Sequence, residues 1–149
     1  EDFKLSWQFR VREEDEWLNW IDSNKLGVYD LTQKIISINA NWFKGSKHEI
    51  RLKSQFVALE AENPISLILD KAGYLYNHNS NVRPFTDGIT SFQIRYKYEI
   101  VPLSYIYIVY TKGGRVYDDE NERNTSDVFK DPWDNPDNEI FSLKFRLKY

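Results

Sequence analysis

The sequence predicts an all-β fold, an antiparallel meander of about six strands, from three observations. Apolar and polar residues alternate along several stretches of the chain, which is typical of strands that bury one face. Aromatic residues make up 16% of the chain, and aromatic side chains favour the pleated surface of a sheet. Little of the sequence has helical periodicity, and its 149 residues fit a single domain.

Three strands are predicted in the first part of the chain, over Phe3 to Arg12, Leu26 to Phe43 and His48 to Ala61. In each of them apolar residues recur at every second position and therefore share one face. These residues are Phe3, Leu5, Trp7, Phe9, Val11, Ile36, Ile38, Ala40, Trp42, Ile50, Leu52, Phe56 and Ala58. A tight turn over Lys44 to Lys47 is predicted to join the second and third strands.

Three further strands are predicted over Ile89 to Ile100, Ser104 to Lys112 and Phe141 to Tyr149. The fourth sets apolar and aromatic residues opposite charged ones, whereas the fifth is apolar on both faces. A short link through Val101 to Leu103 joins these two strands. The sixth strand alternates along its whole length, with an apolar face formed by Phe141, Leu143, Phe145, Leu147 and Tyr149.

The predicted connections alternate between short and long. The long ones are Glu13 to Lys25, Glu62 to Gly88 and Gly113 to Asn138, and Gly113-Gly114 is predicted to be a turn. Transmembrane β-barrels have this asymmetry, with tight periplasmic turns and long external loops. Six strands would form an arc of a larger barrel, because single-chain barrels have 8 or more. If Leu26 to Leu31 and Ile65 to Tyr76 form separate strands, the count becomes eight and the barrel is complete.

The polar face of the predicted strands is cationic, whereas the acidic residues lie mostly in the connections. A soluble sheet carries mixed charges on its wet face, and a membrane barrel uses that face to line a polar lumen. The predicted lumen-facing basic residues are Arg10, Arg51, Lys53, Arg95, Lys97, Lys144 and Arg146. Such a lumen would favour anions. Aromatic residues near strand ends suit an interfacial girdle, and they include Trp42, Phe43, Tyr98, Tyr105 and Tyr149.

The closing strand resembles the C-terminal strand of bacterial outer-membrane β-barrels, in which a final aromatic residue and an alternating apolar face are recognised by the barrel assembly machinery. That resemblance implies an assembly signal formed by Phe141, Leu143, Phe145, Leu147 and Tyr149. His48 to Gln55, Arg95 to Gly113 and the closing strand together resemble the end of the domain-of-unknown-function family 5916. Its members carry a family 9-like carbohydrate-binding module ahead of a C-terminal barrel in envelope proteins of Bacteroidota. The resemblance implies an outer-membrane location and a link to glycan handling, and it implies no reaction.

Glu1 lies in a predicted strand, without an initiator Met or a signal peptide before it. We therefore expect either that a signal has been removed or that the chain is a piece of a longer protein. Residues 1–149 are then a single β-barrel domain or the C-terminal fragment of a larger barrel. Its expected partners are outer-membrane lipid, the assembly machinery and the remaining strands of the parent barrel.

Composition and motifs limit the chemistry that the chain can carry. Cys is absent, which removes disulfides and thiolate sites, and a net charge of -3 gives no attraction to nucleic acid. No run of about 18 apolar residues suggests a transmembrane helix. His48 and His78 lie in different segments without the spacing of a helical zinc motif. We predict no catalytic residue, no cofactor and no enzymatic activity.

Two acidic clusters and three tryptophans are the remaining candidates for a site. The clusters are Asp118, Asp119, Glu120 and Glu122, and Asp127, Asp131, Asp134, Asp137 and Glu139. Asp131, Asp134 and Asp137 could offer oxygen ligands to Ca²⁺, although acidic loops more often only keep a hairpin soluble. Trp133, Trp17 and Trp20 could stack on a sugar ring or pack their own loops onto the sheet.

We therefore predict the C-terminal arc of a transmembrane outer-membrane β-barrel, acting as an envelope channel, receptor or scaffold rather than as an enzyme. The main alternative is a soluble β-sandwich or lipocalin-like module that binds a glycan or lipid, because a soluble antiparallel sheet gives the same alternation. A glycoside hydrolase is a third alternative, since its acidic residues carry no local signature.

Overall fold

The computed structural model describes residues 2–79, 81–119 and 125–148. Seven antiparallel strands form one sheet, and a single α-helix, α1, packs on one of its faces. The elements are β1 (Asp2–Asp22), β2 (Lys25–Lys44), β3 (His48–Leu69), β4 (Leu75–Asn77), β5 (Phe85–Val101), β6 (Ser104–Asp118), α1 (Thr125–Asp134) and β7 (Asn138–Arg146). The predicted all-β antiparallel meander is confirmed.

The sheet is open, with β1 at one edge and β7 at the other. The strand order is β1-β2-β3-β5-β6-β7, and the short β4 pairs with the far end of β3. Apart from that excursion, each strand pairs with its neighbour in the chain. Within the described residues no helix combines the length and apolarity that crossing a membrane would require.

The first hairpin is much longer than the sequence predicted. Glu13 to Lys25 was expected to be a long loop, but β1 continues to Asp22 and turns through Ser23 and Asn24 into β2. A bulge between Glu14 and Trp17, with Glu16 at a φ of 57°, shifts the phase of the strand. That shift hides the alternation from a sequence pattern. The pairing is held by the complementary strand β2 rather than by the propensity of the acidic segment.

The predicted loop from Glu62 to Gly88 is also partly strand. β3 runs on to Leu69 after a second irregularity, at which Asn63 adopts a φ of 50°. Its last residues pair with both β2 and β4, and β5 already begins at Phe85. The proposed extra strand over Ile65 to Tyr76 therefore corresponds to the end of β3 and the start of β4. Leu26 to Leu31 is not a separate strand but the first part of β2.

The third long connection contains the main departures from prediction. Gly113-Gly114 is not a turn, because β6 passes through both residues and ends at Asp118. The predicted turns at 45–47 and at Pro102 and Leu103 are confirmed, each between paired strands. The sixth predicted strand is β7, which begins at Asn138, three residues earlier than predicted.

The helix α1 lies within the segment predicted to be a loop. It pairs large side chains one turn apart, with Val128 above Pro132 and Phe129 above Trp133. The backbone N–H of Asn135 donates to the Asp131 carbonyl oxygen at 2.8 Å, which closes the last turn before Pro136. These i, i+4 pairs were the available sequence signal, but the surrounding acidic residues and the internal Pro132 concealed it.

Candidate functional site

One face of the sheet carries an apolar belt whose members align across all six long strands. Strand register places Leu5, Ala40, Leu52, Ile94, Tyr110 and Phe141 in one row. The next row contains Phe3, Trp42, Ile50, Tyr96, Ile108 and Leu143. We define the apolar belt as these twelve residues together with Trp7, Phe9, Ile36, Ile38, Phe56, Phe92, Tyr98, Ile106 and Phe145.

The belt is most exposed on the two edge strands. On β1, Phe3 is 61% exposed and Trp7 is 74% exposed, while Phe141 on β7 is 69% exposed. Exposed apolar patches of this extent are rare on soluble monomers and mark contact with another protein, a ligand or a membrane. The belt is therefore a surface that needs a partner.

Aromatic residues line the edge of the belt at the 45–47 turn. Trp42 and Tyr98 lie there, and His48 joins them through a 2.7 Å hydrogen bond between its Nδ1 and the Tyr96 hydroxyl. The His48 ring also lies 4.9 Å from that of Tyr98. Two predicted girdle residues, Phe43 and Tyr105, instead occupy the opposite face by strand alternation.

The opposite face carries the predicted basic residues. Strand register brings six of them together, and we call these six the cationic face: Arg51, Lys53, Arg95, Lys97, Lys144 and Arg146. Arg10 shares the face but lies farther along it, in the row of Ile35 and Val57. Whether this face lines a lumen stays a prediction.

Glu49 is the electrostatic centre of the cationic face. Its carboxylate accepts a hydrogen bond from Arg51 Nε, and it lies 3.8 Å from Arg95 Nη2 and 3.7 Å from Lys97 Nζ. The residue is only 9% exposed. Arg51 and Arg95 stand directly opposite each other on neighbouring strands, where like charges repel. One buried carboxylate therefore offsets the repulsion among three cations.

The remaining cations of this face make no ion pair within the described residues. Lys53 borders a polar depression of about 340 Å³ that also includes Asn39, Gln55 and Gln93. Lys144 and Arg146 border a second depression of about 330 Å³ beside Arg95 and Tyr107. Cations that border open depressions and have no carboxylate partner among the described residues are suited to binding anions transiently.

The far end of the same face is apolar and aromatic, which sequence patterning did not reveal. Tyr29, Leu31, Ala61 and Phe85 form a buried cluster, against which Trp17 packs. The rings of Tyr29 and Phe85 meet edge to face at 5.2 Å. Burial raises the pKa of the Tyr29 hydroxyl, and the neighbouring Tyr117 raises it further. The face that carries the cations therefore ends in a packed aromatic cluster.

The helix α1 sits on the belt side of the sheet, over a seat of small residues. A Cβ on Gly88 would lie 2.6 Å from the Val128 carbonyl oxygen, and one on Gly114 would lie 2.6 Å from that of Pro132. The Thr90 hydroxyl donates to the Phe129 carbonyl oxygen at 3.4 Å. Val128 is only 1% exposed. Helix and sheet backbones thus approach closely because the sheet lacks side chains there.

Two of the three candidate calcium ligands use their carboxylates in other contacts, and the third, Asp131, uses its backbone. The Asp134 carboxylate lies 4.0 Å from Lys130 Nζ, and that of Asp137 accepts a 2.8 Å hydrogen bond from the Arg115 backbone N–H. Asp131 supplies the carbonyl oxygen that closes α1. No group of three or more His, Asp or Glu side chains in the described part of the chain could hold a metal ion. Glu120 and Glu122 of the first acidic cluster lie outside the described residues.

Of the three candidate glycan-stacking tryptophans, two pack within the protein. Trp133 meets Phe92 edge to face at 5.5 Å, with Lys112 Nζ 4.8 Å from its ring centre. Trp17 lies 6.1 Å from Tyr29, and only Trp20, at 55% exposure, presents a largely free side chain.

His78 lies in the connection after β4, and its backbone N–H donates a hydrogen bond to the Ser66 carbonyl oxygen at 2.9 Å.

The residues of the predicted assembly signal form the exposed edge of the sheet. Phe141, Leu143 and Phe145 belong to β7, and Leu147 follows it at 55% exposure. Tyr149, the last member of the predicted signal, and Glu1 lie outside the described residues.

Fold and site together define the chain as an antiparallel β-sheet protein with one apolar and one cationic face. No family model, curated protein or solved structure matches it. The likeness to family 5916 accordingly stays a prediction from the residues quoted for it.

Proposed function

We propose that the chain is a segment of a transmembrane β-barrel in a bacterial outer membrane, with a non-enzymatic role as an envelope channel, receptor or scaffold. The observation that carries this proposal is the apolar belt, whose two central rows are apolar on all six long strands. On β1 the apolar alternation runs from Phe3 to Val11, close to the roughly 9 to 11 residues that a tilted strand needs to span a bilayer.

Lipid would account for the part of the belt that helix α1 leaves uncovered. Covering one large apolar side chain contributes about 1.5 to 3 kcal/mol, and the belt leaves many such side chains exposed on β1 and β7. Helix α1 reaches only one end of the belt, near Phe56 and Phe92. A continuous apolar environment would cover both edge strands at once.

The unpaired edge strands favour the interpretation that the sheet is a segment of a larger barrel. β1 offers 21 residues of unpaired edge and β7 offers nine. Unpaired backbone groups are untenable in hydrocarbon, so further strands of the parent barrel would pair with both edges. Under this proposal the β7 edge is also the part that the assembly machinery would contact.

The cationic face would then line the lumen and favour anions. Three of its six cations surround the single central carboxylate of Glu49. The other three make no ion pair within the described residues and could therefore attract anions; they are Lys53, Lys144 and Arg146. A link to glycan handling rests on the resemblance to family 5916, with Trp20 as the exposed aromatic side chain that could stack on a sugar.

A soluble β-sandwich or lipocalin-like binding module is the second candidate, and the position of α1 favours it. The helix covers part of the apolar face in the way that an element of a soluble core would, with Val128 and Pro132 buried against the sheet. In that case a further layer would have to cover the rest of the belt.

Membrane fractionation distinguishes the two candidates. We would express the parent polypeptide in a Gram-negative host and separate the outer membrane from the periplasm. An outer-membrane barrel should sediment with that membrane and migrate faster unheated than boiled in gel electrophoresis. Recovery as soluble periplasmic protein, with no change in migration on heating, would overturn the proposal and favour the soluble module.

A further inference from the structure

A groove lies between helix α1 and the apolar belt. It has a volume of about 530 Å³, within the range of about 300 to 1,000 Å³ that small-molecule sites occupy. Its floor is formed by Ile38, Leu52 and Phe56 of the sheet, and its wall by Phe129 and Trp133 of the helix. The groove is therefore an apolar slot with an open side.

The groove exists because α1 is seated tightly on one flank only. Gly88 and Gly114 let Val128 and Pro132 approach the sheet backbone on that flank. On the other flank, Phe129 meets Phe56 edge to face at 6.0 Å, which holds the helix away from the sheet. Helix α1 therefore contacts the sheet backbone on one flank and stands away from it on the other, and the side chains of the described residues leave an open cleft there.

Charge and position indicate the occupant. Among the described residues, Lys130 is the one charged residue that lines the groove and no carboxylate lines it, although Asp134 lies 4.0 Å from Lys130 Nζ. Ile38 and Leu52 belong to the apolar belt, so the floor of the groove continues into the belt. An apolar slot with a cation at its rim complements an amphiphile that has an acyl chain and an anionic head group.

We propose that this groove holds one acyl chain of a bilayer lipid, with the lipid phosphate beside Lys130. This inference rests on the membrane location proposed above. Trp133 then forms the wall against the chain, and the cation–π contact from Lys112 holds its ring in that orientation.

Tryptophan quenching by brominated lipid tests the inference. The protein would be reconstituted in vesicles of phosphatidylglycerol with bromine on the acyl chains, and in unbrominated vesicles for reference. Trp133→Phe isolates the contribution of the groove, and Trp7→Phe isolates that of the exposed belt. We expect both tryptophans to be quenched. Ser54→Phe, which fills the groove, should protect Trp133 but not Trp7. Ile106→Phe, in the belt row of Tyr98 and Phe145 and away from the groove, should protect neither.

A second variant tests the groove without adding a large side chain, because Ser54→Phe could also disturb folding. Lys130→Glu alters a side chain that is 72% exposed and that pairs at the surface with Asp134, and it should weaken the quenching of Trp133 by this anionic lipid roughly two- to fivefold. Two results would overturn the proposed lipid site in the groove but leave the membrane location standing. In the first, Trp7 is quenched and Trp133 is not. In the second, neither variant alters the quenching of Trp133. Quenching of neither overturns both proposals. Quenching of Trp133 alone supports the groove but places it on a soluble protein.

Discussion

Glu49 shows how much one side chain can organise on a surface of like charges. It lies on β3 next to the turn, and three cations from two strands converge on its carboxylate. The sequence revealed the cations but gave Glu49 no special role, because its partners come from β5 as well as β3. Only the strand register shows that Arg51 and Arg95 are directly opposed.

Replacing Glu49 with Gln should destabilise the fold. The change removes the charge and leaves Arg51, Arg95 and Lys97 to repel one another, at a cost of about 1 to 2 kcal/mol because the cations are partly exposed. Added salt should recover part of the loss by screening that repulsion. Urea unfolding at low and high salt would measure both effects. Glu13→Gln, on an exposed part of β1, is the control and should change little.

The Tyr29 hydroxyl makes the aromatic cluster sensitive to alkaline pH. Burial raises its pKa above the ordinary value of about 10, so the neutral form is favoured in the folded protein. The contribution to stability is complete below pH 10 and is lost as the pH rises through the folded pKa. Tyr29→Phe should therefore lose less stability than the wild type between neutral and strongly alkaline pH.

Urea unfolding at neutral pH and above pH 10 would measure that difference. Tyr74→Phe is the matched control, because Tyr74 is 65% exposed. Equal alkaline sensitivity of wild type and Tyr29→Phe would contradict the role given to the buried hydroxyl.

At the scale of elements, the first hairpin depends on an aromatic contact that bridges three strands. Trp17 of β1 lies 6.1 Å from Tyr29 of β2 and 6.4 Å from Phe85 of β5. The pairing of the acidic segment Glu13 to Asp22 is thus stabilised from the rest of the sheet. This is the physical reason that local sequence predicted a loop there.

Trp17→Ala should loosen this end of the hairpin. Losing the ring contacts should lower the free energy of local opening by about 1 to 2 kcal/mol, which corresponds to roughly 5- to 30-fold faster amide exchange. Hydrogen exchange of the amides in the second half of β1 would detect it. Trp20→Ala removes a 55% exposed side chain of the same strand and should leave the exchange rates unchanged.

Helix α1 and the small residues beneath it were the features that the sequence predicted least well. Gly88, Thr90 and Gly114 interrupt the apolar alternation of β5 and β6, and each contacts α1 or its end. Small residues in an otherwise apolar row were the available signal. The partner of that row is far away in the chain, so no local pattern could identify it.

At the scale of the whole molecule, alternation predicted which face each long strand presents, because side-chain direction follows directly from strand geometry. The pairing of Ala40 with Leu52 and that of Ile94 with Tyr110 follow from this alternation and the two short turns, whereas the register of the other strand pairs did not. The extensions of β1, β3 and β6 were not predictable in this way, since bulges and glycines break the period there.

A pair of adjacent substitutions on β5 tests the assignment of the two faces to lipid and lumen. Ile94 lies in a central row of the belt, whereas Gln93 borders the polar depression on the other face. Ile94→Lys should cost about 2 to 4 kcal/mol in a membrane and reduce recovery in the outer membrane. Gln93→Lys introduces the same charge and should be tolerated. Equal recovery of the two variants in the outer membrane would contradict the assignment.

Neighbour-to-neighbour pairing also affects how such a sheet can change over evolutionary time. Each long strand bonds only to strands adjacent to it along the chain, once the β4 excursion is set aside. Duplicating or deleting a whole hairpin at either edge would alter none of the interior pairings, whereas losing one strand would reverse the direction of every strand beyond it. The architecture therefore permits changes of width in steps of two strands, and the number of strands can diverge while each hairpin keeps its own register.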